Sequence, residues 1–341
     1  MQSHLTDSWK LGPLEVPNRV MLAPLAGIGN WFVRLQAKRY GAGMAVSEMV
    51  SSHAIHHRNA RTCEEMLRIH PQERRGGPVS IQLFGADPEV MRSAAAYAAG
   101  SGADALDLNM GCPVPKVCKT GAGAALLDQP DLAVAVARAA CEGSGLPVTV
   151  KLRSGRRPGE TSGLQLAKRL VAEAGVAAIA LHPRSAAVHH KGKPDYDLAA
   201  QLAGELEAPV ILSGGLRERE QILAAFEQTG ASAVMLARGA LGNPWLFRGL
   251  LSEQAAPPER AEVVAELRWT IAAAVEHLGG ERATRWMRKA YPWYVERLGL
   301  TRPDAKALQE DLQRAQTLDA VDLLLQQCLS WGPAEVGALT V

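Results

Sequence analysis

The sequence is short of the features that would assign a class at once. No run approaches the ~18 consecutive apolar residues that a membrane-spanning helix needs, so no membrane partner is expected. Met1 to Lys10 lacks a basic patch followed by an apolar core, so no secretory signal is expected either. The cysteines (Cys63, Cys112, Cys118, Cys141 and Cys328) are scattered and odd in number. That pattern carries no disulfide framework and points to a reduced, cytoplasmic protein. There is also no large excess of one charge, since the net value is +2. Through Leu250, 27 basic residues face 22 acidic ones, and beyond it 10 face 13. Such a balance neither demands nor excludes a nucleic-acid partner.

What is present is a repeat of short apolar runs. They are Val20–Ala23, Met44–Ser47, Val79–Leu83, Ala105–Leu108, Val148–Leu152, Ala178–Leu181, Val210–Leu212 and Ala233–Leu236. Near-continuous apolar runs fit parallel strands buried on both faces. Helical stretches lie between them: Pro88–Ala99, Asp131–Cys141, Leu164–Ala174, Tyr196–Leu206 and Glu218–Gln228. Eight such units predict a TIM (β/α)8 barrel, with a doubly wound sheet as the alternative. After Leu250 the pattern changes. Gln254 to Pro258 reads as a linker, followed by helices over 259–278, 281–297, 303–316 and 318–328. The expected organisation is a catalytic barrel over 1–250 and a small all-helical domain over 259–341.

A barrel places its chemistry at the C-terminal ends of its strands. The eight runs end in polar or glycine-rich segments there: Pro24-Leu25-Ala26-Gly27, Glu48, Gln82, Asn109 to Pro113, Lys151 with Arg153, His182 with Arg184, Ser213-Gly214-Gly215, and Ala237-Arg238-Gly239. The last two are expected to bind phosphate, through glycine N–H groups and the Arg238 guanidinium. The plainer reading is that these glycines only make tight turns. A phosphorylated cofactor such as FMN fits such a site. Lys151 would stabilise an anionic reduced flavin, and Gln82 would suit the edge of its ring.

Cys112 sits in a Gly-Cys-Pro turn. A buried structural cysteine is the common case. A thiol of pKa ~8.5 can also protonate a developing carbanion, or act as a nucleophile, although no His/Asn partner pattern accompanies it. Cys118 completes no redox pair or zinc set and is read as incidental. Lys116, Lys119, Arg153, Arg156, Arg157, Arg184, Lys191 and Lys193 make the loops after the fourth, fifth and sixth runs basic, which suits a phosphate-backbone substrate. Arg282, Arg285, Arg288 and Lys289 form a further basic stripe, whose plainer reading is a solvated face. Gly121-Ala122-Gly123-Ala124-Ala125-Leu126 lacks the third glycine of a dinucleotide fingerprint. His53, His56 and His57 lack acidic or thiol companions, so no metal is expected.

Asp107-Leu108-Asn109-Met110-Gly111-Cys112-Pro113, with Lys116-Val117 and Gly121 to Leu127, resembles the signature of tRNA-dihydrouridine synthases, closest to the bacterial DusB-type branch. The likeness extends through Met21 to Gly27, Ser47-Glu48-Met49, Ile81 to Gly85, Val150 to Gly155 and Gly242 to Phe247. It implies FMN reduced by NADPH, hydride transfer to C6 of a uracil flipped out of tRNA, and proton delivery to C5 from Cys112. It implies FMN contacts at Pro24, Leu25, Ala26, Gln82, Lys151, His182, Ser213, Gly214, Gly215, Ala237 and Arg238. Asn109, Arg153 and Arg184 would meet the substrate. It further implies tRNA as the partner; no stable protein partner is expected, so a cytoplasmic monomer is the expectation. The chain departs from the family's usual Asn-Gly-Asp at Ser213-Gly214-Gly215, from Gly-Arg at Ala237-Arg238, and from an aromatic after Gly155, where Arg156 stands. Two other classes stay open: a flavin barrel acting on a small pyrimidine or enoate, and a non-catalytic RNA-binding flavoprotein.

Overall fold

The computed structural model describes residues 4–331. The chain divides into two compact units, Met1–Gly239 and Ala240–Val341. The first opens with an antiparallel hairpin of β1 (Trp9–Leu11) and β2 (Leu14–Val16). Eight strands follow: β3 (Val20–Leu22), β4 (Met44–Ser51), β5 (Val79–Phe84), β6 (Ala105–Met110), β7 (Val148–Arg153), β8 (Ala178–His182), β9 (Val210–Ser213) and β10 (Ala233–Leu236). They pair in parallel in chain order, and β10 returns to β3 to close the barrel. Each expected apolar run is therefore a barrel strand, and the doubly wound alternative is excluded by the closure.

Helices fill the crossovers: α1 (Trp31–Arg39), α2 (Ser52–His56), α3 (Pro88–Gly100), α4 (Pro115–Cys118), α5 (Pro130–Ser144), α6 (Ser162–Ala174), α7 (Tyr196–Glu205) and α8 (Arg219–Thr229). Local chemistry sets their starts. Asp87 caps α3 by accepting from the N–H groups of Glu89 at 2.9 Å and Val90 at 3.1 Å, with Pro88 at the first helical position. Asp195 caps α7 through Leu198 N at 3.2 Å.

The barrel interior grades from apolar to polar along its axis. Side chains on a strand alternate between faces, so Ala105, Asp107 and Asn109 share one face, as do Ala178, Ala180 and His182. At the N-terminal end, Ala105, Ala178, Ala233, Met21 and Met44 pack against Trp9, Leu11 and Val16 of the hairpin. That hairpin plugs the bottom of the barrel. Its three-residue strands were too short to read from the sequence. The polar members of each row lie towards the other end.

The second unit holds α9 (Trp245–Leu251), α10 (Arg260–Leu278), α11 (Gly280–Met287), α12 (Tyr291–Val295), α13 (Arg302–Arg314) and α14 (Leu318–Cys328). The helical character expected after residue 259 is present, with one correction. The single helix expected over 281–297 is two, α11 and α12. Pro292, in the first turn of α12, cannot donate to the preceding turn. Within this unit Arg260 gathers the carbonyls of Leu298 at 2.8 Å, Gly299 at 3.2 Å and Cys328 at 3.2 Å. Thr270 and Tyr294 hydroxyls pair at 2.8 Å in its core.

Candidate active site

The turn after β6 is held from several sides. Asn109 Oδ1 accepts from Cys112 N at 2.9 Å and Gly111 N at 3.3 Å. The Cys112 carbonyl accepts from Ala124 N at 2.9 Å and from the Cys118 thiol at 3.3 Å. Cys118 is thus part of the turn's support, which corrects its reading as incidental. Gly123 lies so close that a Cβ there would stand 2.8 Å from Cys112 O. The missing side chain at Gly123 therefore lets this segment pack directly on the cysteine turn. Burial pushes the Cys112 thiol's pKa up, Cys118 adds to this, and the Val114 N–H, Arg153 and Lys151 oppose it. The side chain is a protonated thiol at neutral pH, which suits an acid better than a nucleophile.

Beneath the turn runs a directed chain of hydrogen bonds. Asn109 Nδ2 donates to Gln82 Oε1 at 3.0 Å, and Gln82 Nε2 donates to Asp107 Oδ2 at 2.5 Å. Asp107 Oδ1 accepts from Thr149 Oγ1 at 2.5 Å. Strand register explains the meeting, since Gln82 pairs with Asp107 and Asp107 with Thr149 at the Cα level. Lys151 is the register partner of Asn109. Burial and then the Arg153 charge pull its pKa down to about 8, against the pull of Asp107 and Cys112.

The remaining cations converge at the ends of β7 to β10. Arg153 is committed to backbone carbonyls: its Nε donates to Gly111 O at 3.2 Å and its Nη1 to Ser185 O at 3.1 Å and His189 O at 2.6 Å. Arg184 donates to Gly192 O at 2.6 Å and lies 3.1 Å from His182 Nε2. Burial pulls Arg153 down to about 10, and Arg184 lowers it further. Burial and Arg217 lower Arg184, and burial, Arg217 and Arg184 lower Arg238. Among the described residues no carboxylate is one of the groups acting on Arg153, Arg184 or Arg238. His182 is held well below the usual histidine range by burial, then by Lys151, Arg153 and Arg184. His190 stacks on it at 5.8 Å and is lowered to about 4 by burial and then Arg238. A cluster that keeps two imidazoles neutral is a seat for an anion.

Ser213 closes β9 and is buried, while Ala237 follows β10 and is half-buried. Gly214 and Gly215 have φ of +96° and +82°. A Cβ on Gly214 would stand 2.3 Å from the His182 ring, and one on Gly215 2.8 Å from Tyr196 Oη. Tyr196 Oη itself donates to Gly214 O at 3.2 Å. These glycines are needed for close approach as well as for the turn. The residues present fit a phosphate-bearing ligand: backbone without side chains, beside permanent cations that no acid balances. Pro24, Leu25 and Ala26 form the turn after β3, where Gly29 N donates to Leu25 O at 2.7 Å. Gly27 N donates to Glu48 Oε2 at 2.8 Å, and a bulge in β4 between Val46 and Met49 lies beside Glu48.

The structure thus joins Gln82, Asn109 and Cys112 through hydrogen bonds, and His182, Arg184 and Gly214 through contact. Arg153 ties the two groups together at its carbonyls. Asp107, Thr149, Tyr196 and His190 belong to the same region and were not singled out from the sequence. Asp107 alone had left a signal, an acid inside an otherwise apolar strand. Beside Cys112 a cleft of about 520 Å³ is lined by Pro113, Cys118, Lys119, Arg156, Arg157 and His189, among others. Arg156 within it faces Asp128 at 3.5 Å.

A sequence model described as "Dihydrouridine synthase (Dus)" matches residues 21–330. The chain is 33% identical over 318 residues to the tRNA-dihydrouridine synthase B of Xanthomonas axonopodis pv. citri, covering 91% of this chain and 92% of that protein. It is 36% identical over 330 residues to the probable tRNA-dihydrouridine synthase 1 of a Synechocystis strain, covering 94% and 89%. Among solved structures, an old yellow enzyme homologue from Zymomonas mobilis superposes with a TM-score of 0.56 at 17% identity, covering 74% of this chain and 93% of that one. Morphinone reductase does so at 0.54 and 17%, covering 73% and 92%. At that identity the likeness speaks for the barrel alone.

Proposed function

The chain belongs to the dihydrouridine synthase family, and from that premise we propose that it reduces a uridine of tRNA to 5,6-dihydrouridine with FMN as its flavin. The observation that carries this reading is the Cys112 turn: a thiol kept protonated by burial, at a strand end beside Lys151 and the cation cluster. Bound among those cations, FMN would supply the hydride for C6 of the uracil, with NADPH as the source of its electrons.

The chain's own residues do the rest. Arg238 and the backbone at Ser213, Gly214 and Gly215 would hold the flavin phosphate, with Ala237 beside them. Pro24, Leu25, Ala26, Gln82 and the neutral His182 would border the ring system, and Lys151 would offset negative charge on it. Cys112 would give its proton to C5, and Asn109 would hold the uracil edge. Arg153 and Arg184 shape the substrate side chiefly through the loops they fasten. The basic cleft beside Cys112 suits RNA phosphates. The helical region over 259–341 would also contact tRNA, through Arg282, Arg288 and Lys289. The reading extends to a monomer working in the cytoplasm.

The test is dihydrouridine formation on tRNA from a strain lacking the enzyme, read by mass spectrometry. Wild-type protein with FMN and NADPH should form it. Cys112→Ala should lower the rate by roughly 100-fold or more, the size expected for loss of a general acid. Faster NADPH oxidation with a small enone than with unmodified tRNA would instead favour a small-molecule reductase.

A further inference from the structure

Asp107 is completely buried, lies two residues before Asn109, and has no part in the reaction as described. From β5 it faces the Gln82 amide, and from β7 the Thr149 hydroxyl and the charge of Lys151. An ionised carboxylate only accepts hydrogen bonds. Gln82 must therefore turn its amide nitrogen to Asp107, which leaves Oε1 for Asn109. Asn109 must then donate with Nδ2, which leaves Oδ1 for the N–H groups of Gly111 and Cys112. One charge thus sets the direction of two amides and ends on the cysteine backbone.

We propose that Asp107 is a positioning residue, whose negative charge orients Gln82 and Asn109 and so holds the Cys112 turn for proton delivery. The proposal rests on Cys112 being the proton donor to a uracil. Protonated Asp107 can donate to Gln82 Oε1. The constraint on direction is then gone: both amides can reverse, and in the reversed arrangement Asn109 presents its NH2 to the Cys112 N–H, donor against donor. The turn loses its anchor, while the flavin side feels only the turned Gln82 amide and the lost charge beside Lys151. Burial raises Asp107 to about 6, against the opposing pull of Thr149, Gln82 and Lys151. Lys151 titrates at about 8 and His190 at about 4, outside that window.

The experiment measures two steps separately between pH 5 and 7: flavin reduction by NADPH, and single-turnover uridine reduction in tRNA by the pre-reduced enzyme. Asp107→Asn keeps the shape, can still turn an oxygen to Gln82, and has no proton to gain in that range. Wild-type uridine reduction should fall about tenfold as pH drops through 6, the loss expected for about one buried hydrogen bond. Asp107→Asn should stay flat across that range. Asp107→Leu should be about tenfold slow at every pH, again about one hydrogen bond, with flavin reduction by NADPH slowed clearly less than uridine reduction. Identical pH profiles for wild type and Asp107→Asn would overturn the proposal. So would an Asp107→Leu protein that slows both steps alike. Should the leucine variant fail to fold, the Asp/Asn comparison decides alone. A wild-type protein that forms no dihydrouridine at any pH would refute the functional reading itself, and the positioning role with it.

Discussion

Gly214 separates two reasons for a glycine. Its φ of +96° disfavours any L side chain, and its missing Cβ would stand 2.3 Å from the His182 ring. Gly230 offers a comparison, with φ of +60° and nothing within 4 Å. Gly230→Ala should therefore cost only backbone strain, about 1–2 kcal/mol. Gly214→Ala should add the displacement of a buried imidazole, about 1–3 kcal/mol more, and should lower flavin content per chain. Thermal melting and the flavin absorbance of the two purified variants check this, and equal losses would refute it. The sequence announces both glycines as loop residues. It does not announce His182 and Tyr196 packed against the pair after β9, because those contacts join Gly214 to positions 32 and 18 residues before it. Asp107 was similarly half legible. An acid in an apolar strand is visible in the sequence, but its pairing with Gln82 and Thr149 depends on the register of three strands.

Between elements, the working joints are loop to loop. Arg153 leaves β7 and reaches carbonyls on both sides: Gly111 beside Cys112, and Ser185 and His189 after β8. Its planar, forked side chain reaches all three at once. Arg153→Lys keeps the charge and loses the fork. It should cost about 1–3 kcal/mol through unmet buried carbonyls, expose the segment 185–193 to proteolysis, and slow uridine reduction. If the lysine variant resists proteolysis as wild type does, the clasp is not the reason for the arginine. The barrel strands were legible because each apolar run is buried on both faces and has one possible role. The hairpin β1–β2 was not, since three-residue strands give almost no period. The break between α11 and α12 could have been read from Pro292, whose ring cannot continue a helix.

For the molecule as a whole, net charge is a poor guide to local potential. The chain carries only +2, yet Lys151, Arg153, Arg184 and Arg238 act together on one pole of the barrel. Counting residues along the sequence showed basic loops, but only closure of the barrel brings them onto two histidines. This has a consequence for stability. His182 is lowered far below its usual 6.5, and His190 is lowered to about 4. Below pH 6.5 the unfolded chain therefore binds protons that the folded chain refuses, so stability present at pH 7.5 is lost as the solution is acidified. For His190 the loss ends near pH 4, while for His182 it continues through that range. Asp107 works the other way. Its pKa is raised from 3.8 to about 6, so the folded state gains a proton there as pH falls, which offsets part of the loss. A neutral replacement at the dominant site isolates the effect. His182→Asn should melt with a clearly smaller drop between pH 7.5 and pH 5 than wild type does. Parallel melting curves for the two proteins would show that the cation cluster does not govern the acid sensitivity of the fold.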